Sequence, residues 1–431
     1  MGLEGRNRRR GWQKAGAVLA LTFLVAGCWD YREPNQIAFV EAVAVDRGRA
    51  GEVEATVLVD VPHMPAGGGT GGDSGGAERS WVLRRASGQS LDEALARMTR
   101  FTGRTLNLSQ CRVVLFSDAV ARRGLGRYLD LLARASEFRP TLVVAVTRGR
   151  AERVLSVKPQ LERSPADLLV GLLSSGQFFG STVNFQLLDL ITQLTTLERE
   201  AVIPLVAPKK PEPEGIEPPA LRGGAQGGSG GQAQASTADI VGLAVFRKDR
   251  LVGQIDPADV GYFLMLSGRQ RNSFLSLPDP QVPGRRVTVL IRRVAREVRV
   301  RRSPRPEIRV QLQVPLEIRE IQSTVNYTGS AHRPILEAAA ARHIAAGCRH
   351  VLDQAQKAWR ADVFSFGTLF KLHFLTWPEW VRFGWPDRFP QAQVRVAVEA
   401  RVVRSGTTLQ PGKVLGGHGG RGQSGVNRGQ R

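Results

Sequence analysis

The chain has 431 residues, of which 42% are hydrophobic, so it is long enough to form two or three domains with sizeable cores. Its 60 Lys and Arg residues outnumber 39 Asp and Glu residues, and the formal net charge of +21 favours contact with anionic surfaces such as phospholipid head groups or nucleic acid. Most of the positive charge is scattered arginine and only 6% of residues are aromatic, so the composition argues against a nucleic-acid-binding protein.

The first 27 residues predict a signal peptide. A basic segment over residues 1–14 precedes an apolar run over residues 15–26, which is shorter than the roughly 20 residues that a spanning helix needs. The alternative is an uncleaved anchor helix.

The apolar run ends in Val25-Ala26-Gly27-Cys28, which resembles the lipobox of bacterial lipoproteins. The resemblance implies cleavage between Gly27 and Cys28 and acylation of Cys28, with a diacylglyceryl group on the thiol and a fatty acid such as palmitate. Two or more acyl chains hold a protein stably on a membrane, whereas one chain does not. The mature chain is therefore expected to begin at Cys28 and to lie, lipid-anchored, on the extracytoplasmic face.

Residues 28–207 predict an N-terminal α/β region that subdivides near residues 150–165. Alternating apolar residues indicate strands over 36–46 and 52–61, in a sheet with one face covered by helices. The glycine-rich segment at 65–77 lacks the Gly-Lys-Ser/Thr ending of a phosphate loop and is interpreted as a surface loop. Ser90 and Glu93 predict a capping box for a helix ending near residue 101. Further strands are expected over 111–116, 140–147 and 201–206, and helices over 124–134, 151–156, 166–173 and 184–197.

Residues 208–237, rich in proline and then glycine, predict a linker. A C-terminal α+β domain is expected over 238–404, and residues 405–431 are interpreted as a disordered tail. The C-terminal domain is expected to begin with a hairpin over 240–246 and 250–255 and a helix that is capped by Asp256 and ends near 266. Strands are then expected over 287–302, 307–320 and 394–403, and a helix over 334–359 with Ile335 toward the core. The expected fold class is α+β and multidomain, with mixed or antiparallel sheets each packed against helices.

Three passages resemble the Ger(x)C family, the lipoprotein C subunits of spore germinant receptors. The first is Cys28-Trp29-Asp30, the second is GLAVFRKDRLVG at 242–253, and the third is ADVFSFG at 361–367. Ser365 departs from the pattern, because the family often has glycine there. The family residues expected to act in structure or interaction are Trp29, Asp30, Gly242, Phe246, Gly253, Asp362, Phe364, Phe366 and Gly367.

The resemblance implies a non-enzymatic protein of the inner spore membrane that works with a polytopic A-type subunit and a transporter-like B-type subunit in sensing nutrient germinants. It also implies three domains of unusual fold. An alternative from another class is a solute-binding lipoprotein that serves a transporter.

Other candidate sites give weaker signals. Glu297, Arg299 and Arg301 alternate with valines, so one sheet face is expected to be arginine-rich, either for lipid head groups or an acidic partner or simply as a solvated face. His343 and His350 are too far apart along a helix to share a metal ion, and no cofactor is expected. Cys111 and Cys348 are interpreted as buried free thiols, with a disulfide as the alternative, and no catalytic motif is present in the sequence.

Overall fold

The computed structural model describes residues 36–61, 81–159, 161–209 and 237–404. Within these ranges the chain forms two mixed sheets, each packed against helices, which confirms the predicted fold class. The strands of the first sheet are β1 (Ile37–Arg47), β2 (Val53–Asp60), β3 (Trp81–Gly88), β4 (Thr105–Asn107), β5 (Val113–Ser117), β6 (Val143–Thr147), β7 (Val202–Lys209), β8 (Thr237–Arg247) and β9 (Arg250–Ile255).

The first sheet has the strand order β3-β2-β1-β5-β6-β7-β8-β9, and β4 pairs with the start of β1. Strands β1, β5, β6 and β7 are mutually parallel, whereas the pairs at both ends are antiparallel. In β1, Val43 and Val45 belong to one apolar cluster while Ala42 and Ala44 belong to another. The centre of the sheet is therefore covered on both faces, and the expectation that helices cover only one face is wrong there. Parallel strands that are buried on both faces have nearly continuous apolar sequences rather than alternating ones.

Helix α1 (Leu91–Thr102) begins as the sequence predicts. The Ser90 hydroxyl accepts a hydrogen bond from the Glu93 N–H, and the Glu93 carboxylate accepts one from the Gln89 N–H rather than from Ser90. The other helices of this part are α2 (Asp118–Ala121), α3 (Gly126–Arg134), α4 (Ala151–Leu155), α5 (Pro165–Phe178) and α6 (Leu187–Leu194).

The predicted linker falls between two paired strands. Strands β7 and β8 are antiparallel neighbours, with Val202 opposite Val245 and Lys209 opposite Thr237. The first sheet therefore continues across residues 210–236, which lie outside the described residues, and it includes the hairpin that the sequence assigned to the C-terminal domain.

The second sheet follows helix α7 (Pro257–Ser267). Asp256 occupies the predicted N-cap position, but its side chain accepts a hydrogen bond from the Gln254 amide instead of capping the helix. The strands of the second sheet are β10 (Ser273–Pro278), β11 (Arg286–Ile291), β12 (Ala295–Arg301), β13 (Glu307–Ile321) and β14 (Gln393–Arg404).

The single strand predicted over 287–302 is wrong, because β11 and β12 are separate strands that both pair with β13. Ile291 lies opposite Leu316 and Ala295 lies opposite Gln313. Between these two pairs, the chain that joins β11 to β12 is therefore one residue longer than the facing part of β13. One extra residue is the signature of a β-bulge, which interrupts a strand locally. Strand β14 pairs in parallel along the other edge of β13.

Helix α8 (Arg333–Asp353) continues as a π-helical segment, Gln354–Trp359, and packs against the second sheet. Its buried residues include Leu336, Ala340, Ile344 and Cys348. Ile335 lies one position off that stripe and is exposed, which corrects the expectation that it faces the core. Helices α9 (Phe366–Lys371), α10 (Trp377–Phe383) and α11 (Trp385–Arg388) complete the described structure.

Candidate functional site: the Asp362 junction

The predicted acylation site lies outside the described residues. Gly27, Cys28, Trp29 and Asp30 all precede residue 36, the first residue that the structure describes. Cleavage and acylation at Cys28 therefore stay predictions.

The other predicted family residues fall into two groups. Gly242, Phe246 and Gly253 lie on the β8–β9 hairpin, and Asp362, Phe364, Phe366 and Gly367 lie between the end of the π-helical segment and the first turn of α9. The two groups are linked where Trp359 packs against Gly253 and where Glu200 bonds to both Asp362 and Lys248, and we call this region the junction.

Two hairpin glycines are required by close contacts. A Cβ atom on Gly253 would lie 2.3 Å from Nε1 of Trp359, so only glycine lets that indole pack on the hairpin. Gly242 has a φ of +127°, and a Cβ there would lie 2.3 Å from the Ile255 carbonyl oxygen. Fully buried Phe246 donates its N–H to the carbonyl of Ala201, which ties the hairpin to the start of β7.

Asp362 is the centre of the junction. Its Oδ1 accepts hydrogen bonds from the N–H groups of Phe364 (3.1 Å) and Phe366 (3.2 Å). Its Oδ2 accepts from the Gly367 N–H (2.7 Å) and from Nε1 of Trp385 (2.9 Å). Four donors thus converge on one carboxylate that is 3% exposed, and the Asp362 backbone carbonyl accepts from the Glu200 N–H at 2.9 Å.

Burial changes the protonation equilibria around this carboxylate. Desolvation raises the pKa of Asp362, while the hydrogen bonds it accepts act in the opposite direction. The pKa of Glu200 is raised to about 6, chiefly by desolvation; a hydrogen bond from the Lys248 N–H acts to lower it and the charge of Asp362 acts to raise it. The half-buried guanidinium of Arg296 donates to the Phe364 carbonyl, and burial lowers the pKa of this arginine.

Gly367 and Ser365 show how tightly the segment is held. A Cβ on Gly367 would lie 2.3 Å from the Glu198 carbonyl oxygen and 2.5 Å from the Trp385 ring. Ser365 has a φ of +63° and a ψ of +32°, the left-handed conformation that glycine adopts at low cost. This geometry gives a physical reason for the glycine that the family often has at this position.

Several junction residues were not found from the sequence. Trp385, Glu198, Glu200 and Arg296 lie outside the three family passages, and the sequence does not predict them as site residues. The Glu198 carboxylate accepts a hydrogen bond from Lys371, which fastens helix α9 to the segment before β7.

The junction can hold the two parts of the chain together. All four hydrogen bonds to Asp362 come from groups of the protein, and aromatic rings surround them, among them Phe370 stacked on Trp385 at 4.5 Å. A fully satisfied buried network rigidifies a structure. The hydrogen bonds accepted by Asp362 and the close contacts at Gly253 and Gly367 thus hold the junction in one arrangement.

The histidines and cysteines have separate environments. His343 contacts the Tyr262 hydroxyl at 3.0 Å, and His350 lies 3.5 Å from Asp259. Cys111 and Cys348 are buried free thiols, as predicted, and burial raises the pKa of each to about 12. Across the described ranges, no three His, Cys, Asp or Glu side chains are grouped so that they could hold a metal ion.

The predicted arginine-rich face is present on the second sheet. Arg299, Arg309 and Arg395 lie opposite one another on strands β12, β13 and β14, and all three are exposed. Arg299 is paired with Glu297 on its own strand at 2.7 Å.

None of the helices in the described part of the chain is both long enough and apolar enough to cross a membrane.

Two family models match the chain in order. Residues 30–208 match the spore germination protein N-terminal domain, and residues 241–406 match the spore germination B3/GerAC-like C-terminal domain. Together the matches cover about four fifths of the chain.

Curated relatives and a solved structure agree with these matches. The chain is 30% identical over 265 residues to the putative spore germination protein YfkR of Bacillus subtilis (strain 168), covering 61% of this chain and 63% of that relative. It is 20% identical over 391 residues to the spore germination protein GerQC of Bacillus cereus, covering 90% of this chain and 98% of that relative.

The crystal structure of the GerBC protein aligns with 84% of this chain and 97% of its own, with a TM-score of 0.51 and 12% identity, which shows a shared fold. The chain belongs to the Ger(x)C family of spore germination proteins.

Proposed function

We propose that this chain is a lipid-anchored, non-enzymatic subunit of a membrane receptor complex that starts spore germination in response to nutrients. Its partners would be a polytopic A-type subunit and a transporter-like B-type subunit in the inner spore membrane. The observation that carries the proposal is the ordered match of both family domains directly after the lipobox.

The position of the match supports the anchor. The family match begins at residue 30, two residues after Cys28, so cleavage before Cys28 would remove none of the matched region. Ile37, the first residue of β1, lies nine positions after Cys28, and a fully extended chain of nine residue steps spans at most about 32 Å. The acyl chains would therefore keep the start of β1 within roughly 32 Å of the membrane, which raises the effective concentration for membrane partners.

The non-enzymatic assignment is supported by the junction itself. Asp362 and Glu200, two carboxylates whose pKa is raised by burial, accept their hydrogen bonds from neighbouring groups of the protein. Perturbed carboxylates often mark active sites, but structural networks perturb them as well.

Fractionation of Cys28→Ala cells tests the anchor. We expect the wild-type chain in the membrane fraction and the variant in the soluble extracytoplasmic fraction, because the acceptor thiol is gone. Cys348→Ala is the matched control, since it removes a buried thiol elsewhere and should remain membrane-bound. Full membrane retention of Cys28→Ala would contradict the lipid anchor.

The alternative, a solute-binding lipoprotein that serves a transporter, predicts different behaviour. It predicts a rise in melting temperature with a neutral sugar or a zwitterionic amino acid, because ligands that bind the folded state stabilise it. The receptor-subunit proposal instead expects co-purification with a polytopic membrane protein without such a shift. The family matches support the receptor-subunit proposal.

A further inference from the structure

A large cleft lies between the two matched family regions. Its volume is about 690 Å³, within the range of roughly 300–1,000 Å³ that is typical of small-molecule sites. One wall is formed by residues 177–184, which end and follow helix α5. The other wall is formed by residues 264–272 and 292–294, from the end of α7 and the interruption between β11 and β12.

The cleft is strongly basic. Arg269, Arg271, Arg292 and Arg293 line it, and its lining includes no Asp or Glu residue. Arg292 is paired with Glu317 at 3.0 Å, whereas the other three arginines make no ion pair with any residue of the described ranges.

Other charges near the cleft do not cancel this excess. Helices α5 and α7 both end there, and each helix C-terminus carries about half a negative charge. The negative charge of Asp189 attracts the guanidinium of Arg269, but the positive charge of Arg199 repels it. Three unpaired guanidinium groups therefore outweigh about one negative charge from the two helix ends, and an anion entering the cleft would be attracted.

Two buried polar atoms in the cleft wall lack a partner. Thr182 is 1% exposed and Gln270 is 6% exposed, yet Oγ1 of Thr182 and Oε1 of Gln270 make no hydrogen bond to described residues. The other end of the Gln270 amide donates to Oγ of Ser273 at 2.6 Å, which fixes the side chain in place. Buried polar atoms are normally satisfied, so a pair without partners in one cleft points to a ligand that completes them.

The two walls touch at a glycine. Gly180 has a φ of +68°, and a Cβ there would lie 2.4 Å from the carbonyl oxygen of Asn272. Only glycine permits this approach, so the loop after α5 is set against the start of β10 at a fixed distance.

We propose that this cleft binds a small organic anion. Arg269, Arg271 and Arg293 hold its carboxylate or phosphate group, because the planar guanidinium fork matches such oxyanions. Thr182 and Gln270 hydrogen-bond to a hydroxyl or amino group next to the charge. A free metabolite and a phospholipid head group both present such an oxyanion. The proposed site does not depend on which membrane complex the chain joins.

Calorimetric titration of the full chain in a neutral detergent tests the site, with citrate and inorganic pyrophosphate as probes. We expect saturable binding of one equivalent of at least one probe. The double variant Arg271→Ala/Arg293→Ala should bind it at least about tenfold more weakly, because it removes two oxyanion contacts. Both arginines are exposed, so the variant is expected to fold.

The matched control is Arg299→Ala/Arg309→Ala, which removes the same charge from the exposed sheet face and should leave affinity unchanged. Thr182→Val keeps the shape of the side chain and should weaken binding without lowering the melting temperature of the free protein. The proposal is overturned if neither probe binds saturably and vesicles show no cleft-dependent binding, or if the control weakens binding as much as the cleft variant.

Sedimentation with phosphatidylglycerol vesicles, compared with phosphatidylcholine vesicles, distinguishes a free metabolite from a phospholipid head group as the source of the anion. All chains in this assay, including the cleft and control variants, carry Cys28→Ala so that acyl chains do not hold them on the vesicles. If the soluble probes bind the wild-type chain and this binding is lost in the cleft variant, the result supports a free metabolite. Binding only to phosphatidylglycerol vesicles, again lost in the cleft variant and kept in the control, supports a phospholipid head group.

Discussion

Replacing Asp362 by alanine should destabilise the whole described structure. The substitution removes the acceptor of four hydrogen bonds, three from backbone N–H groups and one from the Trp385 indole. All four donors would remain at a site where the aspartate itself is 3% exposed. The effect should therefore exceed that of an ordinary surface substitution.

The magnitude follows from the four donors and the buried charge. A buried donor left without an acceptor costs about 1–3 kcal/mol, but local relaxation prevents four such costs from adding in full. Burial disfavours the charged form of Asp362, as its raised pKa indicates, and losing that charge offsets part of the cost. We expect a loss of about 4 kcal/mol in the free energy of unfolding, in the range of roughly 3–5 kcal/mol for breaking a buried charged network.

Urea denaturation followed by circular dichroism measures this loss, because the unfolding free energy falls linearly with denaturant. Asp387→Ala is the matched control, since its side chain is 83% exposed and forms a surface ion pair with Arg247. Trp385→Phe should cost about 1–2 kcal/mol alone through the lost indole hydrogen bond. In the Asp362→Ala background it should cost about 1 kcal/mol less, because the acceptor is already absent.

The reasoning fails if Asp362→Ala unfolds at the same urea concentration as Asp387→Ala. It also fails if Trp385→Phe costs the same in both backgrounds, because the two side chains would then not be coupled.

Three further predictions concern the same junction. Gly367→Ala should destabilise by about 2 kcal/mol through overlap with the Glu198 carbonyl, whereas Gly261→Ala, within helix α7 with no atom near its Cβ, should stabilise by about 0.5–1 kcal/mol. Ser365→Gly should stabilise the protein by about 1 kcal/mol, because glycine adopts the left-handed conformation at lower cost than serine. Thermal unfolding measures the effects of the substitutions at residues 367, 261 and 365. Glu200→Gln should change the pH dependence of stability. The folded-state pKa of about 6 exceeds the ordinary 4.5, so the wild type loses about 2 kcal/mol as pH rises from 4.5 to beyond 6, and the variant does not.

Each of these has a result that would count against it. Equal melting temperatures for Gly367→Ala and Gly261→Ala would mean that the close contact at residue 367 is absent. A lower melting temperature for Ser365→Gly would mean that the serine side chain stabilises the turn. A constant stability difference between wild type and Glu200→Gln from pH 4.5 to 7.5 would mean that Glu200 has no raised pKa.

Local chemistry explains what the sequence could predict. Ser90 and Glu93 mark the start of α1 because their side chains bond to backbone groups three or four residues away. The β8–β9 hairpin was recognisable because two apolar runs flank Arg247-Lys248-Asp249, and Lys248 adopts the positive φ of 57° that the tight turn requires. These signals depend only on near neighbours in the chain.

The missed features depend on distant partners. Strand β3 follows the glycine-rich segment and carries exposed Arg84 and Arg85, so its pattern is not that of a buried strand. The break between β11 and β12 is set by register against β13. The continuity of the first sheet across residues 210–236 depends on the pairing of β7 with β8.

The junction illustrates the same limit for the site. The sequence motif located Asp362 and Gly367, but not the reason for them. Trp385 lies 23 residues after Asp362, and the Glu198 carbonyl belongs to the other matched family region. Only the folded chain brings these groups to one carboxylate.

Affinity purification of the tagged chain from detergent-solubilised spore membranes tests the proposed function most directly. The account predicts that the wild-type chain is recovered with acylated Cys28 as its first residue, together with a polytopic membrane protein, and that Cys28→Ala loses both. Recovery of an unacylated chain from the soluble fraction, with no membrane partner, would contradict it.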